Sequence, residues 1–92
     1  AFVDRDGVIN MDKGYVGHWN DFEFMPDAVE GLSLLARVGY ELIVVTNQSG
    51  LARGRYSISD YEALTERYTS FLAKRDVHIG VIWTLLKPNN KL

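Results

Sequence analysis

Apolar and polar positions change period several times along this chain, and the changes mark out its elements. Ala1-Phe2-Val3 is a short apolar run that reads as the end of a buried strand, and Asp6-Gly7 behind it signals a turn. From Asn10 to Glu23 the chain carries Gly14, Gly17, Asn20 and aromatics without a clean period, which predicts a long loop or a small hairpin flap. Pro26 and Asp27 open a helix: proline suits a first turn, and an acidic residue there favours the positive end of the dipole. Ala28, Leu32, Leu35 and Val38 follow at helical spacing, and Gly39 fits the left-handed residue that ends a helix. Glu41-Leu42-Ile43-Val44-Val45 is then β-branched and almost continuously apolar, as a strand covered on both faces reads.

Thr46 to Arg55 predicts a polar loop with Gly50 and Gly54. Ser57 is the next N-cap, with Asp60 closing a relative of the capping box and Tyr56 placed to staple onto Tyr61; Ser59 with Glu62 is an alternative box. Tyr61, Leu64, Tyr68, Phe71 and Leu72 form the buried stripe of a helix reaching about Lys74, and Val77 to Leu86 gives a third apolar run, read as a strand. Strand, helix, strand, helix, strand implies right-handed crossovers and a parallel sheet, hence an α/β fold. In such sheets the chemistry gathers beyond the carboxyl ends of the strands. The segments after Val3, after Val45 and after about Leu85 should therefore meet at one rim.

Composition narrows the picture without naming a task. The 92 residues allow one small domain, with 47% hydrophobic and 24% charged residues. Ten basic against twelve acidic residues leave a formal net charge of -2, too weak a field to argue for nucleic acid or a membrane surface. Without cysteine, disulfides and thiolate metal sites are excluded within the chain. No apolar run approaches the length of a bilayer span, and no signal-peptide pattern opens the chain. The abrupt start at Ala1 and the polar close from Lys87 to Leu92 predict a fragment or trimmed piece, a partial domain over residues 1–92.

Two clusters carry chemistry. Asp4 and Asp6 lie two apart at the end of the first strand, and a continued strand would point both side chains the same way. Such carboxylates repel unless a cation or a shared proton relieves them. One can attack phosphorus, the other can move a proton, and Mg²⁺ can screen both. Taken alone, Asp-x-Asp-Gly is more often a surface turn. The second cluster shifts that balance: Thr46-Asn47-Gln48-Ser49-Gly50 offers hydroxyls, amides and backbone N–H groups at the carboxyl end of a buried strand, where they can hold a phosphate.

Together the two clusters resemble the haloacid dehalogenase superfamily. Asp4 through Asn10 matches its first motif, and Thr46 the hydroxyl of its second. Asp12-Lys13-Gly14-Tyr15-Val16, Asp21-Phe22-Glu23-Phe24 and the run from Thr46 to Gly54 resemble, more narrowly, the histidinol-phosphatase and heptose-bisphosphate-phosphatase branch, over roughly residues 1 to 84. The resemblance implies a cytoplasmic, Mg²⁺-dependent phosphatase with a three-layer α/β/α, Rossmann-like fold, cut after its third strand and acting on a small phosphorylated sugar. D-glycero-D-manno-heptose 1,7-bisphosphate is the implied substrate. Asp4 would be the nucleophile, Asp6 the general acid/base whose carbonyl joins Asp4 on the metal, and Thr46 the holder of the phosphoryl group. Asp12, Lys13, Gly14, Tyr15, Asn47, Gln48 and Ser49 would touch the substrate.

The chain also departs from that pattern. The branch carries a further metal-binding aspartate on a later strand, and many members carry a Cys/His zinc loop; zinc is not expected here, since the chain has no cysteine. Lys87-Pro88 reads as a charged tail, with a phosphate-binding lysine as the alternative; Arg53 is open between a second phosphate and solvent. His18 and His78 are isolated and read as surface or packing residues. Histidinol phosphatase, polynucleotide 3′-phosphatase and an inactive phosphate-binding module are the competing readings. A first strand with an open edge would leave the chain prone to self-association.

Overall fold

The computed structural model describes residues 1–87. Three parallel strands, β1 (Phe2–Val3), β2 (Leu42–Asn47) and β3 (Ile79–Leu85), form one sheet in the order β1-β2-β3. The register sets Val3 beside Val44 and Val44 beside Ile82, with Thr46 beside Thr84 nearer the carboxyl rim. Residues paired across a sheet point to the same face. Val3, Val44, Ile82, Thr46 and Thr84 therefore share one face, and Phe2, Ile43, Val81, Val45 and Trp83 the other.

The helices are α1 (Ala28–Arg37), the single turn α2 (Ser49–Ala52) and α3 (Ile58–Ala73). Strands added in sequence order by right-handed crossovers place their helices on one side of the sheet. On that side Leu32 of α1 and Leu64, Tyr68 and Leu72 of α3 join Val3, Leu42 and Val44 in the core, with Ile9 and Val16 brought in by the loop after β1. The opposite face is open among the described residues: Phe2, Trp83 and Leu85 are all more than half exposed, and the Phe2 and Trp83 rings lie 6.1 Å apart. Two layers of the three-layer architecture are thus laid down by residues 1–87, in an α/β parallel arrangement.

The element ends follow local chemistry. Ser57 caps α3 by accepting the Asp60 N–H at 3.0 Å while the Asp60 carboxylate accepts the Ser57 N–H at 3.1 Å, the reciprocal box that the sequence predicts. Tyr56 and Tyr61 are both buried, and the Tyr56 hydroxyl turns inward to Gln48. At α1 two expectations change. Asp27 is the residue before the helix, in the left-handed region at φ 64°, and its side chain caps nothing. Val38 is exposed, because the helix closes at Arg37 and the chain reverses at Gly39, φ 97°, before Val38 can extend the apolar stripe. The predicted loop from Thr46 to Arg55 contains α2, since Arg53 donates to the Ser49 carbonyl at 2.9 Å and closes one helical turn.

The aperiodic stretch after the first motif folds as a flap. The Met11 N–H donates to the Glu23 carbonyl at 2.7 Å and the Met25 N–H to the Ile9 carbonyl at 2.8 Å, so its two ends pair like a hairpin. Its aromatics tie it to α3: Phe22 stacks on Trp19 at 5.5 Å and on Tyr68 at 5.3 Å, and Phe24 on Phe71 at 4.9 Å. Aromatic pairs of this kind contribute about 0.5–1.5 kcal/mol each beyond their buried area. The flap is thereby packed against α3.

Candidate active site

β1 ends at Val3, and the chain does not continue extended to Asp6. The Arg5 carbonyl accepts N–H groups from Val8, Ile9 and Asn10 at 2.8–3.2 Å, which winds residues 5–10 into a tight turn. Gly7 sits in that turn at φ 88°, where a side chain would be strained. The turn replaces the extended geometry that would have pointed both carboxylates the same way. Asp6 faces a cleft of about 360 Å³ that it lines with Asp12, Gly14, Tyr15, Val16, Asn47, Gln48, Ser49, Gly50 and Tyr56. Asp4 is exposed at the same rim but lines a neighbouring apolar groove with Phe2, Val8 and Leu32, and its Oδ1 accepts the Arg5 N–H at 2.7 Å.

Asp6 is the hub of a polar network. Its Oδ1 accepts Arg5 Nη2 at 2.8 Å, Arg5 Nε at 3.3 Å and Asn10 Nδ2 at 3.0 Å. Its Oδ2 accepts Gln48 Nε2 at 3.0 Å, and the same Nε2 donates to Thr46 Oγ1 at 2.8 Å. Asp6 and Thr46 thus converge through one amide, although they lie 40 positions apart in sequence. Arg5 is fully buried, and Nη2 also donates to the Val16 carbonyl at 2.7 Å, which binds the flap to the turn beneath it. Burying a guanidinium is costly unless it is paired and hydrogen-bonded; Asp6 and Val16 satisfy Nε and Nη2, while Nη1 is buried without a partner among the described residues.

Tyr56 closes the network from the far side by donating to Gln48 Oε1. Burial raises its hydroxyl above the usual phenol range, and the Arg5 guanidinium partly opposes that. The ring is pressed against two glycines: a Cβ on Gly50 would lie 2.6 Å from it and 2.8 Å from Tyr15. Tyr15 adopts φ 52°, unusual for a bulky residue, and the Arg55 guanidinium stacks over its ring at 4.9 Å.

The other residues named from sequence are distributed as follows. Asp12, Gly14, Tyr15, Asn47, Gln48 and Ser49 line the cleft, with Asp12 Oδ1 accepting the Gly14 N–H at 3.1 Å. Lys13 is directed away, to Glu23 at 3.0 Å. Asn47 Oδ1 accepts the Lys87 N–H at 3.2 Å, which brings the segment after β3 to the same rim; Pro88 lies outside the described residues. His18 reaches Asp60 on the surface at 3.3 Å. Among the described residues no three His, Cys, Asp or Glu side chains gather closely enough to hold a metal, and no helix is long and apolar enough to cross a membrane. Sequence reasoning passed over Arg5, Asn10 and Tyr56. The first two stood inside the quoted motif, but nothing in a single chain separates a buried arginine from a solvated one in a turn.

No family model matches the chain. Among curated proteins it is 46% identical over 82 residues to D-glycero-beta-D-manno-heptose-1,7-bisphosphate 7-phosphatase of Salmonella typhi, a match covering 89% of this chain and 44% of that protein. Among solved structures, the D,D-heptose 1,7-bisphosphate phosphatase of B. bronchiseptica complexed with magnesium and phosphate superposes with a TM-score of 0.88 at 26% identity, over 99% of this chain and 52% of the other. A HAD-like phosphatase of Mesorhizobium loti gives a TM-score of 0.79 at 30% identity, over 97% of this chain and 47% of the other. The chain spans about half the length of the proteins it matches. Sequence and fold agree over that span, in which the chain is similar to heptose-bisphosphate phosphatases and carries the α/β arrangement of their solved structures.

Proposed function

We propose that this chain contributes the nucleophile, the proton carrier and a phosphate-holding hydroxyl of a cytoplasmic phosphatase acting on D-glycero-D-manno-heptose 1,7-bisphosphate. The observation that carries the reading is the amide of Gln48, which joins Asp6 on the first loop to Thr46 at the end of β2 at the edge of a cleft sized for a sugar phosphate. The heptose-bisphosphate names of the matched relatives support the substrate over histidinol phosphate or a DNA end.

In this scheme the Asp4 carboxylate leaves the Arg5 amide, turns into the cleft and attacks phosphorus. The bond to the sugar oxygen breaks as the aspartyl-phosphate forms, and Asp6, protonated on Oδ2, gives its proton to the departing oxygen. Asp6 then takes a proton from the water that attacks the aspartyl-phosphate, and inorganic phosphate leaves. Oδ1 of Asp6 is saturated by Arg5 and Asn10, whereas Oδ2 takes a single bond from Gln48, so Oδ2 is the oxygen free to move a proton. Thr46 Oγ1 accepts from Gln48, which leaves its own O–H to donate to a phosphoryl oxygen. Asp12, Tyr15, Asn47 and Ser49 form the walls against the sugar.

The residues present suit Mg²⁺, which takes oxygen ligands. Asp4 is exposed and among the described residues accepts only the Arg5 amide, so its carboxylate is available with the Asp6 carbonyl as a second donor. When bound, the ion would screen the carboxylates from the incoming phosphate. The test is initial-rate hydrolysis of the heptose bisphosphate by the full protein. Asp4→Asn abolishes turnover, Asp6→Asn slows it by roughly 10²–10⁴-fold, and chelation of divalent cations arrests it until Mg²⁺ is restored. Wild-type rates from Asp4→Asn would sink the scheme.

A further inference from the structure

Gln48 lines the cleft, and its residue type and place in the chain suggest a substrate contact. Its hydrogen bonds say otherwise. The side-chain amide has two N–H donors and one carbonyl oxygen. Nε2 donates to Asp6 Oδ2 and to Thr46 Oγ1, and Oε1 accepts the Tyr56 hydroxyl. Both donors are committed, the carbonyl is engaged, and the residue is only 2% exposed. The orientation is fixed by its neighbours, because until Asp6 takes up the proton it delivers, its carboxylate only accepts and must face the NH₂ end. Its backbone N–H is occupied too, donating to the Leu85 carbonyl at 2.8 Å, so Gln48 is anchored to the sheet.

From this we infer that Gln48 is a positioning residue. It holds the proton-carrying oxygen of Asp6 and the hydroxyl of Thr46 in one fixed arrangement, and the Tyr56 hydroxyl anchors the carbonyl end of its amide. A flipped amide would set a carbonyl oxygen against the Asp6 carboxylate and withdraw the donor from Thr46. Tyr56 is held in place in turn: Gly17 and Gly50 leave its ring no room to swing toward either. The inference rests on the proposed roles of Asp6 and Thr46 and adds what sets their geometry.

The experiment uses the full protein with Mg²⁺ and compares the heptose bisphosphate with p-nitrophenyl phosphate, whose leaving group departs without a proton. Gln48→Met keeps the shape of the side chain and removes its hydrogen bonds. It should lower kcat on the sugar phosphate by roughly 10- to 100-fold, the scale of a small misplacement of reacting groups, with KM within about twofold. The loss on p-nitrophenyl phosphate should be several-fold smaller, since only proton delivery by Asp6 is spared there. Tyr56→Phe keeps the ring packing and should give a weaker loss of the same kind. The Gln48→Met, Tyr56→Phe double variant should be no slower than Gln48→Met, because the tyrosine acts through the glutamine. A rise in KM with kcat unchanged, equal losses on the two substrates, or additive losses in the double variant would overturn the inference. Asp4→Asn run in parallel separates the two failures: if it is inactive while Gln48→Met behaves as a substrate contact, only the inference falls; if it turns over normally, the proposed function falls with it.

Discussion

The ring of Tyr56 covers Gly17 so closely that a Cβ on Gly17 would stand 2.3 Å from it, well inside van der Waals contact. This contact joins the flap to the segment between α2 and α3 behind the cleft. Gly17→Ala must displace either the flap or the ring, and overpacking of this kind costs about 1–3 kcal/mol. Chemical denaturation of the full protein should show that loss, together with reduced turnover as Tyr56 is pushed off Gln48. An unaltered midpoint with unaltered activity would mean that the contact is slack.

Tyr68 gives the fold a sensitivity to alkali. Burial, and then the neighbouring Tyr61, push its hydroxyl up to about 12, with Arg5 opposing. An unfolded tyrosine titrates near 10, so the folded value lies above the unfolded one. The stabilisation is therefore complete below about pH 10 and is lost as pH rises through about 12, on the order of 2 kcal/mol in all. Denaturation midpoints measured across that window should fall more steeply for the wild type than for Tyr68→Phe. Parallel slopes would contradict the assignment.

The capping box at Ser57 has a cost and a sign. Ser57→Ala should destabilise by about 1 kcal/mol, measured by denaturant titration. Asp60 is held below the usual carboxylate range, first by the Ser57 amide and then by its hydroxyl. Its contribution is thus present at neutral pH and lost on acidification as the carboxylate protonates. Stability should fall more steeply on acidification for the wild type than for Asp60→Asn, which cannot lose a charge there. A constant difference at every pH would show that Asp60 plays no part.

Much of this was legible in the sequence, and the reasons for the rest are specific. The alternation of strand and helix, the Ser57 cap and the placing of Thr46 at a strand's carboxyl end all follow from period and punctuation. The relation of Asp4 to Asp6 was not legible, because it depends on whether the strand runs on past Val3. The Arg5 carbonyl ends it by gathering three N–H groups from the following turn. The part played by Gln48 was hidden for a different reason: one polar side chain in a loop can face a ligand or its own neighbours, and only Tyr56, Asp6 and Thr46 together decide which. Lys13 turned to Glu23, a choice that spacing alone does not encode.

The open sheet face makes a prediction for the 92-residue chain on its own. Phe2 is 70% exposed and Trp83 56% exposed beside one another, with Leu85 on the same face. Contiguous apolar surface of this kind drives association. Sedimentation of residues 1–92 should reveal self-association that weakens in a Phe2→Thr, Trp83→Thr variant. A monomer at all concentrations would show that this face tolerates water.

The central claim is that Asp4 becomes phosphorylated. Acid quenching of the full protein during turnover of the heptose bisphosphate, followed by peptide mass spectrometry, tests it most directly. The account predicts that the peptide holding Asp4 carries the added mass of one phosphoryl group, that fragmentation places it on Asp4, and that Asp4→Asn abolishes both the label and turnover. Sustained turnover by Asp4→Asn, or a phosphoryl group on another residue during wild-type turnover, would contradict it.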